Sequence, residues 1–310
     1  DYLLFLDSDD FFSPELVGHT WARAFETNSD VTLFNALKFD DNTKTASDAA
    51  HYFAKSLFES YPVFSRHDLP DELLRTTSPS PWLKIFRRQF ILDNSLEFQC
   101  LSNSNDVFFT SVALCAAERI SWVDEQLVYY RVGMSGNTQS KKKKAPLNFI
   151  RAYTAIYRRL NEMGIYSQLE KSYTDFALSG IVFNIRTISD TYAKLLIFRE
   201  LNNTILPETG IADKPDCFYY IPDNAEIVRG TDSAYKWYEK QERLKREILE
   251  LKITIGQKEG QIIEAQNETE KERKEKEEKI SIIEKLTNEI TQLKNQIEFL
   301  NSQIKDIQGD

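Results

Sequence analysis

The chain has 310 residues, with 39 Lys and Arg against 48 Asp and Glu, and its formal net charge of −9 excludes a general nucleic-acid binder. Hydrophobic residues make up 41% and aromatics 12%, enough for a packed core, but aromatics thin out after Tyr238, so that core cannot reach evenly to the C-terminus. Cys100, Cys115 and Cys217 lack metal-ligand spacing and fit buried thiols in a reducing compartment, and no run approaches the ~18 apolar residues of a membrane helix.

The chain opens on Tyr2-Leu3-Leu4-Phe5-Leu6, which reads as a strand buried on both faces, followed abruptly by Asp7-Ser8-Asp9-Asp10. A central strand needs neighbours on each side, so the chain is expected to be a fragment lacking its N-terminal portion. Carboxyl ends of strands are where open α/β sheets bind ligands. Carboxylates crowded there repel one another unless a hard divalent cation, with phosphate oxygens, sits among them. Ser13-Pro14-Glu15 reads as a helix start, with Leu16, Val17, Trp21, Ala24 and Phe25 as one apolar face. Val31–Phe34 is a predicted strand and Asp40-Asp41-Asn42 a turn. Pro79 and Pro81 break the chain before Trp82-Leu83-Lys84-Ile85-Phe86. Helical spacing runs from Asp106 to Ala117, and Ile120–Val123 and Gln126–Tyr130 read as extended pieces. The basic block Lys141–Lys144 reads as a solvated loop, with a membrane-surface or anionic-substrate contact as the alternative.

Beyond it, Phe149, Tyr153, Ile156, Leu160, Phe176, Ile181 and Ile185 recur at helical spacing, and Pro- and Gly-containing sequence from 207 reads as a connector. From Trp237 onward Ile283, Ile290, Ile297 and Ile304 share one heptad position and Leu286, Leu293, Leu300 and Ile307 another, a coiled-coil pattern. Leu244, Ile248, Leu251, Ile255 and Ile262 keep the same register, while Thr269, Glu272, Lys276 and Lys279 weaken the seam between. Ile at a with Leu at d predicts one long helix, on the order of 100 Å, forming a parallel homodimer through 244–307, with Glu289 meeting Lys294 of a second copy.

Four segments in this order, Tyr2–Asp10, Pro81–Arg88, Ser104–Phe109 and Leu127–Arg131, resemble the family 2 glycosyltransferases of the GT-A fold. The resemblance implies an α/β fold: the C-terminal part of a GT-A domain at 1–140, then a helical subdomain at 141–206, a connector at 207–236 and the coiled coil at 237–310, the last not covered by it. It implies inverting, metal-dependent transfer of a sugar from a nucleotide-diphosphate donor to a glycan or lipid-linked acceptor, in bacterial surface polysaccharide synthesis. The location would be cytoplasmic, with peripheral contact at the inner membrane face. Carried over, Asp7 and Asp9 bind a divalent cation (Mg or Mn) and the diphosphate, with Asp9 the better ligand, and Asp106 is the base. Lys84 would contact phosphate, and Trp82, Asn105, Tyr130 and Arg131 would lie on the acceptor side. Many relatives have a His near Tyr130–Ser135; His19, His51 and His67 lie elsewhere in the sequence, so phosphate and water, not a third protein ligand, are expected to complete the coordination. The structural alternatives are plain: Asp7 and Asp9 as first-turn acids, Asp106 as a helix cap, and Asp10 as a cap in either case.

An Asp-nucleophile phosphatase also places Asp-x-Asp after an apolar strand. Asp10-Phe11-Phe12 and the lack of a later paired-acid motif do not fit it. A non-enzymatic alternative makes the long helix the function, with a degenerate head.

Overall fold

The computed structural model describes residues 1–48, 52–133, 145–268 and 276–308. Lys141–Lys144, Ser135, His51, Thr269 and Glu272 lie outside them. The described chain forms two compact units, Asp1–Asp232 and Ser233–Asp310.

The first unit is α/β. Its seven strands are β1 (Tyr2–Leu4), β2 (Phe11–Phe12), β3 (Val31–Asp40), β4 (Thr45–Asp48), β5 (Val63–Phe64), β6 (Lys84–Arg87) and β7 (Ile120–Val132). They make one mixed sheet in the order β1-β6-β3-β7-β2, with β4 on β3 and β5 on β7. β3 and β7 run parallel, from Val31 opposite Ile120 to Asp40 opposite Val132, with irregular register around Asn35. The two extended pieces expected at 120–123 and 126–130 are one strand.

β3 is buried on both faces, as a central strand covered by helices should be. Val31 and Leu33 join the main core, while Phe34 and Ala36 join a smaller cluster with Leu16, Trp82, Leu83, Leu127 and Val128. On the main side lie α2 (Arg88–Asp93), α3 (Asn105–Ala116), α4 (Asn148–Glu162), α5 (Tyr166–Thr187), α6 (Thr191–Asn203) and α7 (Ile205–Thr209). Phe109, Val112, Tyr153, Ile156, Tyr173, Ile181 and Ile197 share a core with the sheet. The helices after residue 145 are therefore built onto the α/β layer, not merely tethered to it.

β1 is three residues long and pairs with β6 among the described strands, with Leu3 and Leu6 36% and 41% exposed. One expectation about the N-terminal segment needs correction. The helix α1 (Leu16–Glu26) starts two residues beyond Pro14, with Glu15 as N-cap. Leu16, Thr20 and Ala24 form its buried stripe, while Val17, Trp21 and Phe25 are exposed. The large apolar residues drew the predicted face. The small ones allow the helix to approach the sheet closely.

The expectation of a single long C-terminal helix also fails. Pro222 already begins α8 (Pro222–Glu268), and α9 (Lys276–Gln308) follows. Within the second unit the two face each other in opposite directions. Trp237 Nε1 donates to the Ile307 carbonyl at 2.8 Å, Lys258 pairs with Glu289, and Lys294 lies 3.7 Å from Glu259. The heptad seam is the buried stripe: Leu244, Ile255, Ile290 and Leu300 are each under 10% exposed. The periodicity names the face, but an antiparallel partner within the chain satisfies the same face, and the weak polar stretch falls between the two helices. Glu289 meets Lys258 of its own chain.

Zero-length carbodiimide coupling of a mixture of isotope-labelled and unlabelled protein should therefore join Lys258 to Glu289 within one chain. A dominant labelled-to-unlabelled Glu289–Lys294 product would instead establish the parallel dimer. Leu300→Ala should destabilise this unit by about 2 kcal/mol, the low end of buried Leu truncations.

Candidate active site

β1 ends at Leu4, and the chain turns through Asp7–Asp10, where the Asp10 N–H reaches the Asp7 carbonyl, before β2 pairs antiparallel with β7. That pairing sets Phe11 opposite Tyr129 and brings Arg131 behind the turn. The Arg131 N–H donates to Asp10 Oδ1 at 2.8 Å, its Nη1 to the Asp9 carbonyl at 3.2 Å, and its Nη2 to Asp41 at 3.0 Å. The guanidinium also lies 4.6 Å from the Phe11 ring centre.

The turn gathers three carboxylates: Asp7, Asp9 and Asp10 each offer an oxygen within 4.8 Å of the others. Asp7 and Asp9 are exposed and Asp10 is buried. Burial pushes the Asp10 carboxyl up to about 6; the Arg131 N–H and guanidinium pull the other way, and the Asp9 and Asp7 charges add to the rise. Partial burial of its carboxylate, and then the Asp9 charge, raise Asp7. Asp10 Oδ2 is buried with no hydrogen-bond partner. A cluster of hard oxygen donors with one orphaned, buried lone-pair site has the chemistry of a divalent-cation site. Asp10 is the residue that sequence reasoning assigned to helix capping. The N-cap of α1 is Glu15 instead, and Asp10 stands with Asp7 and Asp9 in the carboxylate cluster. Its adjacency to Asp9 was the available signal.

Asp106 sits in the first turn of α3, whose N-cap Ser104 is left-handed at φ 57° and makes no side-chain cap. Asp7, Asp106 and Asn105 line one cavity of about 680 Å³, together with Pro81, Phe98 and Ser102. Burial raises the Asp106 carboxyl, its own N–H and that of Val107 hold it down, the Asp7 charge raises it further, and Lys84 lowers it. Asn105 is exposed beside it.

Lys84 is corrected. It is fully buried, and its Nζ donates to the Thr77 hydroxyl at 3.3 Å and to the Ser78 and Ser80 carbonyls at 2.7 and 3.0 Å. All three protons are committed to the 77–80 loop, so none is left for a phosphate. Burial holds its ammonium well below the usual lysine range, against the pull of Asp106. Trp82 is also inside, 5% exposed, stacked on Tyr130 at 5.3 Å and 6° and met edge-on by Tyr52. It backs the site instead of walling it. Tyr130 is half-buried, and burial, then Asp10, Asp9 and Asp7, raise its phenol. Tyr52 and Asp41 were missed in the sequence, since neither belongs to a motif. His19 contacts Glu125, and His67 contacts Glu118 and Gln168.

An acidic turn after a strand thus faces a helix-start carboxylate across one cavity in a mixed α/β sheet. No family model matches the chain. The poly(ribitol-phosphate) β-N-acetylglucosaminyltransferase TarS of Staphylococcus aureus is 28% identical over 151 residues, 48% of this chain and 24% of TarS. EpsH of Bacillus subtilis, classed as a glycosyltransferase, is 28% identical over 156 residues, 46% of this chain and 41% of EpsH. The chain thus spans about a quarter and about two fifths of these relatives. Among solved structures, S. aureus TarS 1–349 in complex with UDP-GlcNAc superposes with a TM-score of 0.55 at 21% identity, covering 78% of this chain and 67% of that one. TarS 1–349 alone gives 0.51 at 20%, covering 78% and 66%. The fold is that of the TarS glycosyltransferase segment.

Asp10 titrates near 6 when folded and near 3.8 when unfolded, so between these values the folded chain binds more protons. The stability that protonated Asp10 supports is present below about 4 and is lost as pH rises to 6. Thermal melts without divalent cations should show this loss, and it should vanish in Asp10→Asn. Lys84→Met should destabilise the first unit by about 3 kcal/mol, because three buried acceptors lose their donor.

Proposed function

We propose that the protein carrying this chain transfers a sugar, with inversion, from a nucleotide-diphosphate donor to a hydroxyl of a glycan or lipid-linked acceptor in bacterial surface polysaccharide synthesis. The observation that carries this reading is the shared cavity: Asp7 of the acidic turn and Asp106 of the helix start line the same space. Likeness to TarS bound to UDP-GlcNAc supports a nucleotide-sugar donor, and the names of both sequence relatives support sugar transfer.

Asp7, Asp9 and Asp10 are the residues that would hold a divalent cation, Mg or Mn, which when bound supplies Lewis-acid stabilisation to the departing diphosphate. Asp106 takes the proton from the acceptor hydroxyl as its oxygen forms the new bond to the anomeric carbon and the bond from that carbon to the diphosphate breaks. Its raised proton affinity suits a base that must hold the proton late. Asn105 and Tyr130 flank the acceptor side. Trp82 supports Tyr130 from behind, and Arg131 holds the turn in shape. Lys84 acts by fixing the 77–80 loop. A cytoplasmic location with peripheral contact at the inner membrane face belongs to the same reading. So does the division into a transferase part at 1–140, helices to 206, a connector and a C-terminal helical region. Parallel self-association through the 244–307 seam would require the α8–α9 hairpin to open, because that seam is buried within it.

In the full-length protein, Asp106→Asn keeps size and capping ability but removes the base. Transfer should fall ~100-fold or more, with donor binding and melting temperature unchanged. Near-normal turnover would leave Asp106 a structural residue. Asp9→Asn should abolish metal binding, measured by calorimetry, together with activity, and activity indifferent both to this change and to chelation would remove the metal from the reading.

A further inference from the structure

Ser104 lines both the cavity at Asp106 and a second cavity, of about 330 Å³, floored by Tyr153 and Phe149 of α4. Pro79, Phe176, Ser179 and Phe183 line both this one and a third, of about 560 Å³, reaching Arg75, Asp175 and Tyr220. Three cavities thus share walls in sequence, leading away from Asp106 along one side of α5.

One stripe of α5 makes that wall. Asp175, Ser179 and Phe183 are four residues apart, on one face, with Phe176 and Gly180 alongside. The stripe runs about 12 Å from Asp175 to Phe183 at 1.5 Å per residue. Gly180 is needed where it is: a Cβ there would lie 1.7 Å from the Tyr153 hydroxyl. Without that glycine the floor of the second cavity would shift. Phe183 is 52% exposed although aromatic. Asp175 is only 6% exposed; one carboxylate oxygen accepts the Tyr220 N–H at 2.9 Å, and Oδ2 has no partner.

Charge narrows the occupant. Arg75 stacks on Tyr220 at 3.7 Å and pairs with Glu72 at 3.7 Å, and Lys171 pairs with Asp71 at 3.4 Å. Both cations also face Asp175, so three acids (Asp71, Glu72 and Asp175) stand against two cations. That balance leaves no surplus positive charge to hold a chain of phosphates. A neutral chain of hydroxyl-bearing rings is suited, because aromatic faces cover ring C–H groups and a carboxylate oxygen accepts hydroxyls.

We propose that this groove seats the neutral saccharide units of the acceptor next to the reacting one, with Phe183 as a stacking surface and Asp175 as a hydroxyl acceptor. It rests on the transferase reading, which it extends from the reacting hydroxyl to the length of acceptor that is recognised.

The test is binding of size-fractionated fragments of the organism's own surface polysaccharide, one to eight units long, to the full-length protein by calorimetry. Affinity should rise about tenfold or more, 1.4 kcal/mol or more, between one and four units. Ser179→Trp, which fills the shared wall from an exposed position, and Phe183→Ala, which removes the stacking surface, should each flatten that rise. Circular dichroism and donor binding should stay as in the unaltered protein. The proposal is overturned by a flat profile in the unaltered protein, by a rise that survives in both variants, or by poly(ribitol phosphate) binding with length dependence where the neutral fragments do not. Failure of the transferase reading shows separately, as unaltered protein that neither binds nor turns over any nucleotide-sugar. The length dependence is read from binding and needs no turnover.

Discussion

The site depends on one tie, between the acidic turn and the end of β7. Three carboxylates within 4.8 Å of one another repel, by roughly 1 kcal/mol per pair in water and more where the medium is less polar. Left alone, the turn after β1 would splay. Arg131 prevents this with three contacts: its N–H on Asp10, its guanidinium on the Asp9 carbonyl, and an ion pair to Asp41. Only one of these reaches a carboxylate of the turn, and it is a backbone N–H hydrogen bond, not an ion pair. The others hold backbone. The arrangement therefore fixes the carboxylates in place without cancelling their charge, which is what a cation site requires. It exists because β2 pairs with β7 and β7 pairs along its length with β3.

A second constraint works from beneath. Lys84 is a charge at 0% exposure, and burying one is costly unless every proton is satisfied. The 77–80 loop satisfies all three, so loop and lysine each require the other. The loop carries Pro79 and leads into Pro81, and these line the cavities on either side of Ser104. The same cation lies close enough to lower the proton affinity of Asp106. A residue that cannot touch a ligand thus shapes both the walls and the electrostatics of the site.

How far this was legible in the sequence follows from what each signal measures. Periodicity and breakers report local propensity and face, so α3, the Asp40–Asn42 turn and the seam residues Leu244 to Ile307 were found near their true bounds. They do not report partners. The seam of α8 and α9 is satisfied within the chain, and no count of heptads distinguishes that from a second copy. Hydrophobicity also misled where size and burial part company: on α1 the buried residues are Leu16, Thr20 and Ala24, while Trp21 and Phe25 face outward. Motifs named Asp7, Asp9 and Asp106, and the structure brings Asp7 and Asp106 to one cavity. Lys84 was misassigned because a motif gives identity without burial. Asp10 was misassigned because its hydrogen-bond partner lies 121 residues away. Tyr52 and the α5 stripe became visible only when elements distant in sequence were packed together.

Asp106 shows how such packing tunes a single group. A base for a hydroxyl must be ionised before reaction and yet hold a proton well once it has one. Burial and the neighbouring Asp7 push its proton affinity up; two backbone N–H groups at the α3 start and the buried ammonium of Lys84 push it down. Each influence alone would spoil the group. Desolvation by itself favours a neutral acid that cannot accept a proton, and the helix start with Lys84 alone favours a carboxylate too stable to take one. Their opposition leaves a carboxylate that is raised but restrained, beside the Ser104 wall that the cavity of the acidic turn shares with the one along α5. A place in the first turn of α3 is therefore compatible with the proposed base role of Asp106, because the N–H groups at that helix start are the ones that restrain its proton affinity.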